Sequence, residues 1–125
     1  MHGVPSNLDL SPFISARLDR IDLGLHMLYF RFDADGATPF IGVEGAWELR
    51  DRENHLIDHS ISDTELLSDR DAYHVHVLLG HVVERAEIAP PRSFTLHFDS
   101  GHRLVVYDNS RQWESFHIEP GGIHI

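Results

Sequence analysis

The chain contains no cysteine and no lysine. Without thiols there is no disulfide framework, no thiolate nucleophile and no cysteine-based zinc knuckle. Without lysine there is no Schiff-base chemistry and no phosphate loop, both of which need its ammonium group. All ten basic side chains are therefore arginine. A GC-rich coding sequence accounts for that bias, so the arginines are not each a sign of bidentate recognition. Long hydrophobic runs are also missing: the most apolar stretch, 75–80, is interrupted by His76 and is far too short to cross a bilayer. The opening "MHGVPSNLDLSPF" has no basic region followed by an apolar one, which leaves the cytoplasm as the expected compartment. No nucleophile elbow and no dinucleotide fingerprint occurs anywhere.

What is there describes a folded protein. The 125 residues suit one domain, 1–125, and such a domain buries roughly two-thirds of the surface its unfolded chain exposes. A hydrophobic fraction of 42% and an aromatic fraction of 10% supply a core and separate the chain from disordered sequences. Twenty acidic against ten basic side chains give a formal charge of −10. That charge repels the phosphate backbone, so nucleic acid is excluded as a partner and a basic protein is favoured.

The chain also echoes itself. "LYFRFDADGATPFIGVEGAWE" at 28–48 and "FTLHFDSGHRLVVYDNSRQWE" at 94–114 each run from an alternating strand through an Asp, a Gly-containing turn and a second strand to Trp-Glu. The offset from Phe32 to Phe98 equals that from Trp47 to Trp113, the two tryptophans of the chain. A further strand-like run precedes each, at 14–23 and 81–89. These patterns predict a mostly β, α+β protein of two repeated antiparallel units, about 14–50 and 81–118, related by an approximate two-fold axis. The units are joined by a connection over about 51–80 that carries one short helix. Alternation points Leu28, Phe30, Phe32, Phe94, Leu96 and Phe98 inward, and Arg31, Thr95 and His97 outward. Residues 33–36 and 99–101 supply the positive-φ position that tight hairpins need, and Pro39 and Pro90-Pro91 mark strand ends.

Eleven histidines raise the question of metal binding, most sharply at "AYHVHVLLGH", where His74, His76 and His81 crowd together. Ser68 as N-cap, Asp69 and Asp71 in a first turn, and Gly80 just beyond the end predict a helix over 69–79. In that helix Val75 and Leu79 are buried and His74 and His76 lie on different sides. The competing reading is a strand through Val75, Val77 and Leu79. It would place His74 and His76 on one face at metal-ligand spacing, but a third ligand must then come from elsewhere. No cofactor and no metal is expected. Other resemblances to sites dissolve on inspection. Residues 33–44 imitate a calcium loop, but Thr38 stands where the glycine is needed and Ala37 where a ligand is needed. His55 and His59 lack the glutamate of the zinc-protease motif. Asp99, Ser100 and His102 have the residue types of a triad, but in one turn they cannot form its relay.

One family resemblance is carried by "LLGHVVERAEIAPPRSFTLHFDSGHRLVVYDNSRQWESFHI", 78–118. It resembles the second half of a family of small bacterial proteins known only as a domain of unknown function. The shared features are the Leu-Gly start, the strand ending in Phe-Asp and Gly, and Trp113-Glu114-Ser115-Phe116. The first half matches more loosely. The resemblance assigns no catalytic residue. In size and acidity it points toward small immunity proteins that neutralise bacterial toxins.

Two functions follow as expectations. The first is a non-catalytic protein-binding domain, immunity- or antitoxin-like, that meets a basic partner through Asp63, Glu65, Asp69 and Asp71 and the 33–35 turn. The second is a small-ligand- or metal-binding domain that uses surface histidines. A homodimer is compatible with either.

Overall fold

The computed structural model describes residues 4–24, 27–60, 74–108, 116–119 and 123–124. Ten strands lie among them: β1 (Arg17–Leu23), β2 (Leu28–Asp33), β3 (Phe40–Val43), β4 (Trp47–Arg50), β5 (Leu56–Ser60), β6 (Val83–Ala89), β7 (Ser93–Phe98), β8 (Arg103–Tyr107), β9 (Phe116–Glu119) and β10 (Ile123–His124). They form two five-stranded sheets, ordered β1-β2-β3-β9-β10 and β5-β4-β8-β7-β6. Every strand pairing is antiparallel. The two halves of the chain exchange strands: β4, with β5 beside it, joins the second sheet through β8, and β9 joins the first through β3.

The expected alternation holds. Leu28, Phe30, Phe32, Phe94, Leu96 and Phe98 are all buried, because successive side chains of a strand point to opposite faces. Phe32 of the first sheet stacks against Phe98 of the second at 6.5 Å between ring centroids. Phe13 meets Phe32 edge-on at 5.2 Å. Trp47, Leu49, Leu104 and Ile118 extend the same core, and Val4, Leu8 and Leu10 cover it from the N-terminal segment. The hairpin turns use the expected geometry, with positive φ at Asp35, Gly36 and Gly101. The 33–44 segment is therefore a hairpin.

Two expectations fail. In place of an α-helix over 69–79, the described part of that segment is a single 3-10 turn, Val75–Leu78; residues 69–73 lie outside the described residues. Val75 is buried as expected, but the second inward residue is Leu78, and Leu79 is 43% exposed. A 3-10 turn repeats every three residues, so i and i+3 share its face, whereas the helix reading selected i and i+4. Gly80 does follow with φ of +83°.

The stretch read as connection also contains strand β5. Its inward positions escape an apolar-pattern search because one of them is Asp58, which faces Leu49 across the ladder and is buried. One Asp58 oxygen accepts the His59 N–H at 2.8 Å, and the other accepts the His74 N–H at 2.7 Å.

Candidate functional site

The sites suggested by sequence separate cleanly. Asp63, Glu65, Asp69 and Asp71 lie outside the described residues, as does Trp113. Asp33 and Asp35 are exposed at the tip of the β2–β3 hairpin. His74 and His76, expected on different sides of a helix, instead stand as neighbours with ring centroids 6.4 Å apart, while His81 Nδ1 pairs with Asp99 at 2.9 Å. Asp99 bonds His81 and the Ser100 backbone, while the Ser100 hydroxyl meets His102 Nδ1 at 2.8 Å. No carboxylate among the described residues orients His102, so the pair stops short of a relay.

Asp51, Glu53 and His55 form a group of metal-ligating type, with ligand atoms within 4.8 Å of one another. Asp51 Oδ1 already accepts the backbone N–H groups of Glu53 and His55, both at 2.9 Å, and so closes the β4–β5 turn.

The most organised polar surface is one that composition does not reveal, the outer face of the second sheet. Register alone brings it together. Arg103 on β8 sits directly opposite Arg50 on β4 and His97 on β7, and His97 sits opposite Arg85 on β6. The next row runs Glu48, Val105, Thr95, Glu87. A shallow furrow of about 380 Å³ lies over these residues, bounded also by Asn54 and Tyr107.

Its charges are mostly spoken for. Tyr107 donates its hydroxyl to Glu48 Oε1 at 2.6 Å, and Arg50 reaches Glu48 Oε2 at 3.2 Å. Burial alone would raise the Glu48 carboxyl, but these hydrogen bonds outweigh it and hold the group below its ordinary value. Burial, and then the bond to an anionic Glu48, push the Tyr107 hydroxyl up to about 12. On the far side Glu87 accepts from His97 Nε2 and from Arg85 Nη1, the latter at 2.8 Å. The His97 bond, more than any other contact, lowers the Glu87 carboxyl. Arg103 is half-buried, and among the described residues its side chain has no hydrogen bond or counter-charge.

The outer face of the first sheet makes a contrast. Arg31 Nε bonds Asp22 Oδ2 at 2.6 Å, and the guanidinium lies over the rings of Tyr29 and Phe40 at 5.0 and 4.8 Å. Tyr29 and Met27 in turn cover Gly42, where a Cβ would come within 2.9 Å of the Tyr29 ring.

Arg50, Arg103, Tyr107, Glu48 and Glu87 were not singled out by sequence. The one available signal was alternation along "RLVVY", which turns Arg103, Val105 and Tyr107 outward. No protein-family model matches the chain, and neither a curated protein nor a solved structure matches it. Among the described residues no helix is long and apolar enough to cross a membrane.

Proposed function

We propose that this chain is a non-catalytic protein-binding domain, immunity- or antitoxin-like, that works in the cytoplasm and engages its partner through the outer face of the second sheet. The observation that carries this reading is the half-buried Arg103, which has no counter-charge among the described residues and is set between Arg50 and His97 in a shallow polar furrow beside Tyr107. Small-molecule sites are concave and mostly apolar. An open furrow furnished with arginine and tyrosine has instead the chemistry of protein interfaces, where those residue types carry much of the binding energy. The charge of −10 adds steering toward a basic partner, and Asp63, Glu65, Asp69 and Asp71 are its proposed source. The two effects act at different ranges. Steering works over a Debye length of about 10 Å at 0.1 M salt, and Arg103 works at hydrogen-bond distance.

The same reading treats the fold as a duplication with an approximate two-fold axis and exchanged fourth strands. Supporting it, the Ser15 N–H donates to the Val83 carbonyl at 2.7 Å and the Gly80 N–H donates to the Leu18 carbonyl at 2.8 Å. The Leu18 N–H meets the His81 carbonyl, and the Val83 N–H meets the Ala16 carbonyl, both at 2.9 Å. Bulges fall between Leu18 and Arg20 in β1 and between Val83 and Arg85 in β6. In this scheme Trp47, opposite Val106, corresponds to Phe116, opposite Val43, and not to Trp113 as the equal sequence offset implies. The outer faces then diverged: the place of Phe40, which covers Arg31, is taken on the second sheet by Arg103.

The test is capture of the native partner by the full chain and by an Arg50→Gln/Arg103→Gln/Tyr107→Phe variant. Loss of the captured protein by a variant that keeps its fold is expected. Undiminished capture would sink the reading.

A further inference from the structure

We infer that Arg103, flanked by Arg50 and His97, is the seat of a single carboxylate presented by an acidic side chain of the protein partner. The inference rests on the protein-binding reading above and names the chemistry of the contact.

Four basic side chains lie in one row across β4, β8, β7 and β6: Arg50, Arg103, His97 and Arg85. Like charges directly opposite one another in a sheet are destabilising, so the row needs compensation. Glu48 compensates Arg50 at 3.2 Å. Glu87 compensates Arg85 and also bonds the His97 ring. Arg103 is left over, with one positive charge, half out of solvent and without a partner among the described residues.

A half-buried guanidinium presents paired N–H donors in a planar fork, and a carboxylate matches that fork in shape. Charge selects a monoanion. Three arginines against two glutamates leave one positive charge, and Glu48 and Glu87 in the adjoining row would repel the second charge of a phosphate dianion. The furrow extends well past the guanidinium, over Thr95, Val105 and Asn54, which is more surface than a free small acid covers. A peptide segment can use it. In the absence of a ligand Arg103 costs stability, and a residue that lowers stability at a surface site is the kind retained for binding.

The experiment is an NMR titration of the isotopically labelled full chain, following the Arg103 side-chain Nε–H. The probes are N-acetyl-Ala-Glu-Ala-amide, the corresponding Gln peptide, acetate and inorganic phosphate. The Glu peptide should saturate the Arg103 signal, and the Gln peptide, acetate and phosphate should each bind at least about tenfold more weakly, in keeping with the strength of charge-assisted bidentate pairs. Arg103→Gln should abolish saturation, read on neighbouring amides, while its thermal midpoint stays equal to or above that of the parent protein. That second readout separates a binding role from a structural one. Equal binding of the Glu and Gln peptides, or retention of the Glu peptide by Arg103→Gln, overturns the proposal. Acetate or phosphate binding as tightly as the Glu peptide overturns the assignment to a partner's side chain. If the peptide fails yet the triple variant still loses its captured partner, the binding face stands and only the carboxylate falls.

Discussion

Tyr107 and Glu48 are the residues at which the physics of the site is most directly readable. The hydroxyl is partly buried and donates to a carboxylate at 2.6 Å, so losing its proton would create two adjacent negative charges. Its value is pushed up to about 12, above the roughly 10 of an unfolded tyrosine. A group whose folded value is raised contributes stability that is whole below the unfolded value and is lost as pH rises through the folded one. Stability should therefore decline between about pH 10 and 12 more steeply in the parent protein than in Tyr107→Phe. Urea midpoints measured across that range, with ultraviolet titration of the phenolates, check this. Coinciding slopes would mean that the bond to Glu48 is not kept in solution. At this scale the sequence was partly legible. Alternation told which side chains of β7 face outward, but not which side chains of β8 and β6 stand opposite them. Register across β4, β8 and β7 is a product of the whole sheet, and Arg103 has no meaning as a site without it.

Among the elements, β5 and the turns make the sharpest case. Asp58 holds the end of β5 to the start of the Val75–Leu78 turn by accepting the N–H groups of His59 and His74. Asp58→Ala leaves those donors without their acceptor and should cost about 1–3 kcal/mol by urea denaturation. Asp58→Asn keeps one acceptor oxygen and should cost less. Equal stability of parent and alanine variant would contradict the anchoring role. The glycines of the two hairpins offer a paired comparison. At Gly36 a Cβ meets nothing within 4 Å, so alanine brings only the strain of positive φ, about 1–2 kcal/mol. At Gly101 the same Cβ would also lie 2.6 Å from Arg52 Nε. Arg52 donates to the Ser100 carbonyl at 3.0 Å, and that contact would have to give way. Gly101→Ala should therefore destabilise more than Gly36→Ala. These turns were legible because glycine at positive φ is a local requirement. Strand β5 and the 3-10 turn were not, because an inward aspartate and a change of period are set by what packs against them.

For the molecule as a whole, charge and core act at different places. The core is apolar and shared by both sheets, so Phe30→Ala, which empties a fully buried site, should cost about 3–5 kcal/mol. Apart from the buried Asp58, the charged side chains of the described residues are at or near the surface. Glu48, Asp22 and Glu87 are all held below their ordinary values by their partners. Depressed carboxylates contribute stability that is present above the unfolded values near 4 and lost as pH falls through the folded ones. Acid unfolding should accordingly set in below about pH 4. In binding, replacing Asp63, Glu65, Asp69 and Asp71 with Asn or Gln should weaken capture at low salt and flatten its salt dependence, whereas changes at Arg103 should weaken it at every salt concentration. The central claim, that the second sheet and not the first meets the partner, is tested most directly by hydroxyl-radical footprinting of the full chain alone and in its captured complex. Tyr107 and His97 should become protected while Tyr29 and Phe40 on the opposite sheet keep their reactivity. Protection of Tyr29 and Phe40 with Tyr107 and His97 unchanged would contradict the account.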